Sequence, residues 1–262
     1  MLCLNETHYS HKFEQILHAF VQLPNVCAKI VATGIVRPST LIDPKVRFLP
    51  VFPLSFHEFI EHKHIRIDHI TMQTTSKLLL KELQKVYDEY LLRGGYPRVI
   101  TAEHQDDKLA ALKVIMQSVY EKDIGFFFNG HDILQFEPML HLAYHATKSV
   151  YKVSTLAKFA DCKSSLVEQY MSFFAQHHLI DLIDFSITSP DAKEIHHQRK
   201  LLFTDTGMMT YLTKDMTTKL TSLWYQMSFL YREMRDHPAV KSITTYKKIN
   251  GSVIDFIVEL TT

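Results

Sequence analysis

The residues best placed to do chemistry open the sequence: Asn5 and Glu6 follow the apolar run Met1-Leu2-Cys3-Leu4. An apolar strand ending in an acidic pair is how a nucleotide hydrolase holds Mg²⁺ through one carboxylate and orients the attacking water with the next. Asn5 occupies the first of these positions, so Glu6 alone keeps the acid, as a degenerate catalytic candidate. The pair needs a glycine-rich loop ending in Gly-Lys-Ser/Thr, whose amides and lysine cradle the phosphates. Gly125 and Gly130 have the glycine spacing, but His131 and Asp132 follow, and a carboxylate there repels phosphate. Taken alone, four apolar residues before Asn-Glu also describe an ordinary strand end.

Imidazoles offer a second chemistry. Of sixteen histidines, His57, His62 and His64 surround Glu58 and Glu61. The run His57-Glu58-Phe59-Ile60-Glu61-His62 misses the His-Glu-x-x-His spacing by one residue, which turns the second ring about 100° off the first on a helix. A zinc site needs three or four convergent ligands. These residues, with His177-His178 and His196-His197, read as solvated helix-surface side chains, and no metal site is expected. Cys3, Cys27 and Cys162 form no paired motif, which fits a reducing compartment.

The elements that must position such residues follow from periodicity. Leu2 to Leu4 and Ile30 to Thr33 read as short strands around a helix from Lys12 to Leu23. Helices are expected from Phe56 to Glu61, from Lys77 to Leu92 (Leu78, Leu79, Leu83, Val86, Tyr90 and Leu91 on one face), and from Asp107 to Ile124. Gly94-Gly95-Tyr96-Pro97 ends the second of these, because glycine relieves a helix C-terminus and proline forbids continuation.

From Gln135 to Phe185 the order is that of a winged helix. A helix holds Met139, Leu140, Leu142 and Ala143. A short one, capped by Ser154, carries Leu156, Ala157 and Phe159. After the turn Ala160-Asp161-Cys162, a longer helix has Leu166, Val167, Tyr170, Phe173 and Phe174 inward. Leu179 to Phe185 and Lys200 to Thr204 would be the wing strands. Lys163, Ser164, Ser165, Glu168, Gln169 and Ser172 then point outward, where a recognition helix meets DNA, with Lys148, Lys152 and Lys158 near phosphates. The other reading is a winged helix that packs on protein. The last segment reads as a helix through Phe229, Leu230 and Met234, then strands from Ile243 to Lys248 and Ser252 to Leu260 around an Asn250-Gly251 hairpin.

Charge limits the choice. Lys plus Arg total 29 against 28 Asp plus Glu, a formal net charge of +1, so no global basic field advertises nucleic acid. DNA contact would rest on a local patch and be weak and salt-sensitive, opposed by Glu168. A hydrophobic fraction of 46% suits a globular chain. With no signal-peptide pattern and no apolar run long enough to span a bilayer, a cytoplasmic protein with no membrane partner is expected.

Several blocks carry a family resemblance: Ala28-Lys29-Ile30-Val31-Ala32-Thr33-Gly34, Phe52-Pro53-Leu54-Ser55-Phe56-His57-Glu58-Phe59, Leu91-Leu92-Arg93-Gly94-Gly95-Tyr96-Pro97, Tyr120-Glu121-Lys122-Asp123-Ile124, Phe203-Thr204-Asp205-Thr206-Gly207 and Val253-Ile254-Asp255-Phe256. In this order they resemble the prokaryotic AAA-type (P-loop) ATP-binding proteins, which follow their ATPase core with a helical region, a winged helix and a restriction-endonuclease-like domain of unknown function. The resemblance implies a nucleotide site at Asn5, Thr33 and Lys45, with ATP and Mg²⁺ as the family's cofactors. It also marks departures. Ile35 replaces a serine, Pro44-Lys45 replaces Gly-Arg, and Tyr225-Gln226-Met227 replaces Phe-Glu-Asn, so Asp255 stands without the other carboxylates and lysine of a nuclease centre.

The fold expected is mixed α/β and mostly helical: a remnant of an AAA sheet over 1–55, a helical region over 56–134, a winged helix over 135–213 and a truncated nuclease-like α/β segment over 214–262. The function expected is that of a truncated, catalytically idle relative needing no cofactor, which docks on protein, on DNA or on itself. Candidate DNA-contacting residues are Lys158, Lys163, Ser164, Ser165 and Gln169. The alternative is an ATP-dependent enzyme whose phosphate loop lies upstream of Met1 or on another chain.

Overall fold

The structure, a computed structural model, describes residues 2–5, 7, 12–23, 29–34, 45–65, 76–186, 198–214, 222–247 and 252–261. It is mixed α/β and mostly helical, and it divides into two compact units, Met1–Phe52 and Pro53–Thr262. Asn250-Gly251 and His196-His197 lie outside the described residues.

In the first unit, β1 (Leu2–Leu4) and β2 (Ile30–Ala32) pair in parallel, with Cys3 opposite Val31, and helix α1 (Phe13–Gln22) makes the crossover between them. Parallel strands usually form sheets covered on both faces. Here Cys3, Val31 and Ala32 are exposed.

The second unit begins with α2 (Phe56–His62), where Ser55 makes a reciprocal capping box with Glu58 that satisfies the first free N–H groups. Helix α3 (Lys77–Arg93) follows, and the short α4 (Pro97–Ile100) starts on the proline that stops α3. Then come α5 (Gln105–Lys122) and α6 (Ile124–Phe127). The inward face of α3 is Val86, Tyr90 and Leu91, whereas Leu78, expected on that face, is exposed in the first turn.

Three of the six sequence blocks that carry the resemblance meet at the end of α3. Gly94 takes φ +72°, a left-handed conformation that glycine adopts without strain. The buried carboxylate of Asp205 accepts the Gly95 N–H at 2.6 Å through Oδ2 and the Gly207 N–H at 2.8 Å through Oδ1. Pro53 to Phe56 is clamped alongside: Leu54 N–H donates to Gly95 O at 2.8 Å, the Tyr90 hydroxyl to Leu54 O at 2.7 Å, and Arg232 to Pro53 O at 2.6 Å. Glu233 accepts the Phe56 N–H at 2.9 Å, and the Phe56 ring packs against Tyr87, Tyr90 and Phe229. Close backbone approach explains the glycines, since a Cβ on Gly95 would stand 2.0 Å from Leu54 O and one on Gly207 2.2 Å from Arg93 O.

The next elements run α7 (Phe136–Ala146), β3 (Tyr151–Lys152), α8 (Val153–Phe159), α9 (Ser164–Gln176), β4 (Ile180–Ile183) and β5 (Gln198–Phe203). The three strands form an antiparallel sheet in the order β3-β5-β4. An aromatic core of Phe128, Phe136, Tyr170, Phe173 and Phe174 holds α7 and α9 together, with Phe128 stacked on Tyr170 at 4.1 Å. Two expectations are corrected here. Lys152, not Ser154, stands at the N-cap of α8 and no side chain caps it, because the helix starts two residues earlier, at Val153. His177 is not a surface side chain: it is buried against Phe127 and Phe173, with Nδ1 2.8 Å from Phe173 O and Nε2 3.7 Å from Asp123.

Helix α10 (Thr206–Thr213), α11 (Leu223–Arg235) and the antiparallel pair β6 (Val240–Lys247) and β7 (Val253–Leu260) complete the unit. The buried face of α11 is Tyr225, Met227, Ser228, Tyr231 and Arg232, and Leu230 is exposed.

Candidate functional site

At the strand ends of the first unit the Thr33 hydroxyl donates to Asn5 Oδ1 at 2.5 Å, and the N–H groups of Thr33 and Thr7 donate to Leu4 O and Thr33 O, each at 2.9 Å. Two of the three nucleotide candidates are therefore adjacent. Lys45 donates to Val21 O at 3.1 Å, in the last turn of α1. In a parallel strand-helix-strand crossover that turn lies at the opposite end from Asn5 and Thr33. Glu6 lies outside the described residues.

In the C-terminal segment, Asp255 accepts from Lys200, whose ammonium is buried and also lies 5.1 Å from the centre of the Phe256 ring. That carboxylate is engaged in holding β7 on β5. Gln226 is exposed on α11. Among the described residues no group of three or more His, Cys, Asp or Glu could hold a metal ion. His57 pairs with Glu61 at 3.4 Å on the exposed face of α2.

The DNA-contact candidates converge better. Lys158 lies in the last turn of α8, Lys163 is the N-cap of α9, and Ser164, Ser165 and Gln169 follow on α9; all five are exposed, as are Glu168 and Ser172. The reason is periodic: Val167, Tyr170, Met171, Phe173 and Phe174 take the buried face of α9, which leaves the opposite stripe to solvent. No side-chain hydrogen bond or ion pair is seen on that stripe among the described residues. Cys162, in the turn between the helices, is half-buried, and burial together with the Asp161 charge pushes its thiol pKa up, so it is a poor nucleophile.

Phe159 was missed as a surface residue. It shares a short helix with the inward Leu156 and Ala157, but the residue is 86% exposed. Two residues on a helix turn by about 200°, so Ala157 and Phe159 cannot both face one core, and that angle was readable in the sequence.

These observations define a mostly helical α/β protein with a free helix face and a tightly keyed glycine-carboxylate junction. The chain belongs to the family of a domain of unknown function, DUF8612, whose model matches residues 84–219. That stretch includes the Gly94-Gly95 and Asp205-Gly207 sides of the junction and all of α8 and α9. The chain is also similar to an uncharacterised protein of Methanocaldococcus jannaschii, at 22% identity over 139 residues that cover 51% of this chain and 31% of that protein. No solved structure matches the chain.

Proposed function

We propose that this chain is a docking module whose winged helix, formed by α7, β3, α8, α9, β4 and β5, engages a partner through the exposed face of α9, and that it is an idle relative of the AAA-type ATP-binding family. The observation that carries this is the α9 stripe: Lys163, Ser164, Ser165, Glu168, Gln169 and Ser172 are exposed on a helix whose other face is locked in the core. A recognition helix needs that combination of rigidity and accessibility. One carboxylate and one lysine on the stripe itself favour protein over the phosphate-dominated surface of DNA.

The test is the size of the assembly in extracts of the native cell. The wild-type chain should elute in a complex larger than itself and survive nuclease treatment, while a Ser165→Arg/Gln169→Glu variant with an unchanged melting temperature elutes alone. Identical elution of the two would sink the docking reading. Loss of the complex on nuclease treatment would replace protein with nucleic acid as the partner.

A second reading, an ATP-dependent enzyme completed by a phosphate loop outside this chain, is favoured by the Asn5-Thr33 contact at the strand ends. The sequence supplies no phosphate-cradling loop of its own, so calorimetry on this chain with Mg-ATP should show affinity weaker than about 1 mM. Micromolar binding, or turnover abolished by Glu6→Gln, would favour the enzyme.

The exposed apolar surface of β1 and β2 supports self-association of the first unit. Removing residues 1–33 is expected to raise solubility and abolish concentration-dependent light scattering. A sharp monomer peak at high concentration, unchanged by that deletion, contradicts this.

A further inference from the structure

We infer that the partner surface recognised by this module is an acidic protein segment with an apolar anchor, and that Phe159 is the residue on this chain that receives the anchor. The inference rests on the docking reading above and names its partner chemistry. Among the described residues Phe159 is the most exposed aromatic, at 86%, and makes no ring contact. It does not serve the core: Leu156 and Ala157 are the residues that seat α8. Burying such a ring on a partner recovers apolar area that the fold leaves in water.

The surroundings of Phe159 fix the sign of the partner. Lys152, Thr155 and Phe159 recur along the exposed side of α8 at the spacing of successive turns, and Lys158, also exposed, lies about 100° round the helix from Phe159. Lys163 follows across a turn set by Asp161 in the left-handed region, at φ 48°, and Lys148 precedes β3, exposed and 5.3 Å from the centre of the Tyr144 ring. Between positions 148 and 169 the exposed charges are therefore Lys148, Lys152, Lys158 and Lys163 against Asp161 and Glu168, an excess of cations in the stretch that carries the phenylalanine. An exposed aromatic ring in a stretch with that excess of cations is complementary to an apolar side chain flanked by Asp or Glu, and electrostatics of this kind steer encounter and reject basic partners. Bare duplex DNA would use the lysines and leave the ring without an apolar counterpart.

The probe is a labelled amphipathic helical peptide of about 16 residues with leucine at i, i+3, i+4 and i+7 and glutamate elsewhere, set beside its lysine counterpart and a duplex DNA of similar length. On the full chain at low salt the acidic peptide should bind and the basic peptide should not. Phe159→Ala should weaken the acidic peptide about tenfold or more, as anchor truncations do. Lys158→Glu/Lys163→Glu should also weaken it and flatten its salt dependence. Both variants change exposed positions, so unchanged melting temperatures confirm that folding is intact. Binding of the acidic peptide that Phe159→Ala leaves unaltered, or a preference for the basic peptide, overturns the inference. Binding of DNA alone, lost in the double lysine variant and kept in Phe159→Ala, also overturns it while leaving the docking reading standing. Binding of none of the three probes overturns the inference, and the docking reading then stands or falls on the assembly measured in cell extracts.

Discussion

Gly207→Ala should destabilise the second unit by about 3 kcal/mol or more, although helix propensity alone predicts a gain of up to about 1 kcal/mol for the same change. The residue is the second of α10, a position where alanine is ordinarily the better choice. Its added Cβ would stand 2.2 Å from Arg93 O, a backbone atom at the last residue of α3 that no rotamer change can move. It would also lie 2.8 Å from Asp205 Oδ1, pressing on the carboxylate that accepts the Gly207 N–H. Steric exclusion wins because the alternative is separation of α3 from α10. Urea denaturation followed by far-UV circular dichroism measures the sign directly, and a variant as stable as the wild type would show that the two helices are not keyed backbone to backbone.

Asp205→Asn should cost a comparable amount, about 2–4 kcal/mol, and alter the pH dependence of stability. Each carboxylate oxygen accepts one buried backbone N–H, from Gly95 and from Gly207. An amide supplies a single acceptor and turns its NH₂ on the other donor. Burial pushes the Asp205 pKa up to about 6, against the lowering effect of those N–H groups and of the Arg232 charge. The folded chain thus holds this proton more tightly than the unfolded one. This contribution is greatest below the ordinary aspartate range, near pH 4, and is lost as the pH rises through about 6, a difference on the order of 3 kcal/mol. Glu233, also raised by burial, slopes the same way and is common to both proteins, so the difference between the wild-type and Asp205→Asn profiles isolates Asp205. Parallel profiles from pH 4 to 7 would mean that Asp205 titrates as it does in the unfolded chain.

The parts of this fold legible in the sequence are those where a local signal and the packing agree. Helix α3 ends at Gly94 because a left-handed C-cap and a following proline state the stop twice, and α9 shows its buried face in the spacing of Val167, Tyr170, Phe173 and Phe174. Helix α10 was not legible. Its residues include a glycine and three threonines, poor helix formers, and it is helical because Thr206 to Thr210 are all buried against α3, α5 and the sheet. His177 differs from expectation for a related reason: a polar pair at a helix end looks solvated until Phe127 is brought over it from a distant element, beside Phe173 one turn back on the same helix. The family-like blocks were visible, but not that three of them are a single junction in which Asp205 binds amides rather than a ligand. At the candidate surface, the polar face of α9 was readable from periodicity, while the outward turn of Phe159 was hidden by treating every apolar residue of α8 as core.

The docking account stands most directly on what the α9 face touches in the cell. A photo-crosslinking amino acid placed at Gln169, with Lys113 on the exposed side of α5 as the control position, reports this by ultraviolet irradiation and mass spectrometry of the adducts. The account predicts one dominant adduct from position 169, a protein rather than nucleic acid, absent from position 113. No adduct from position 169, or the same adducts from both positions, would contradict it.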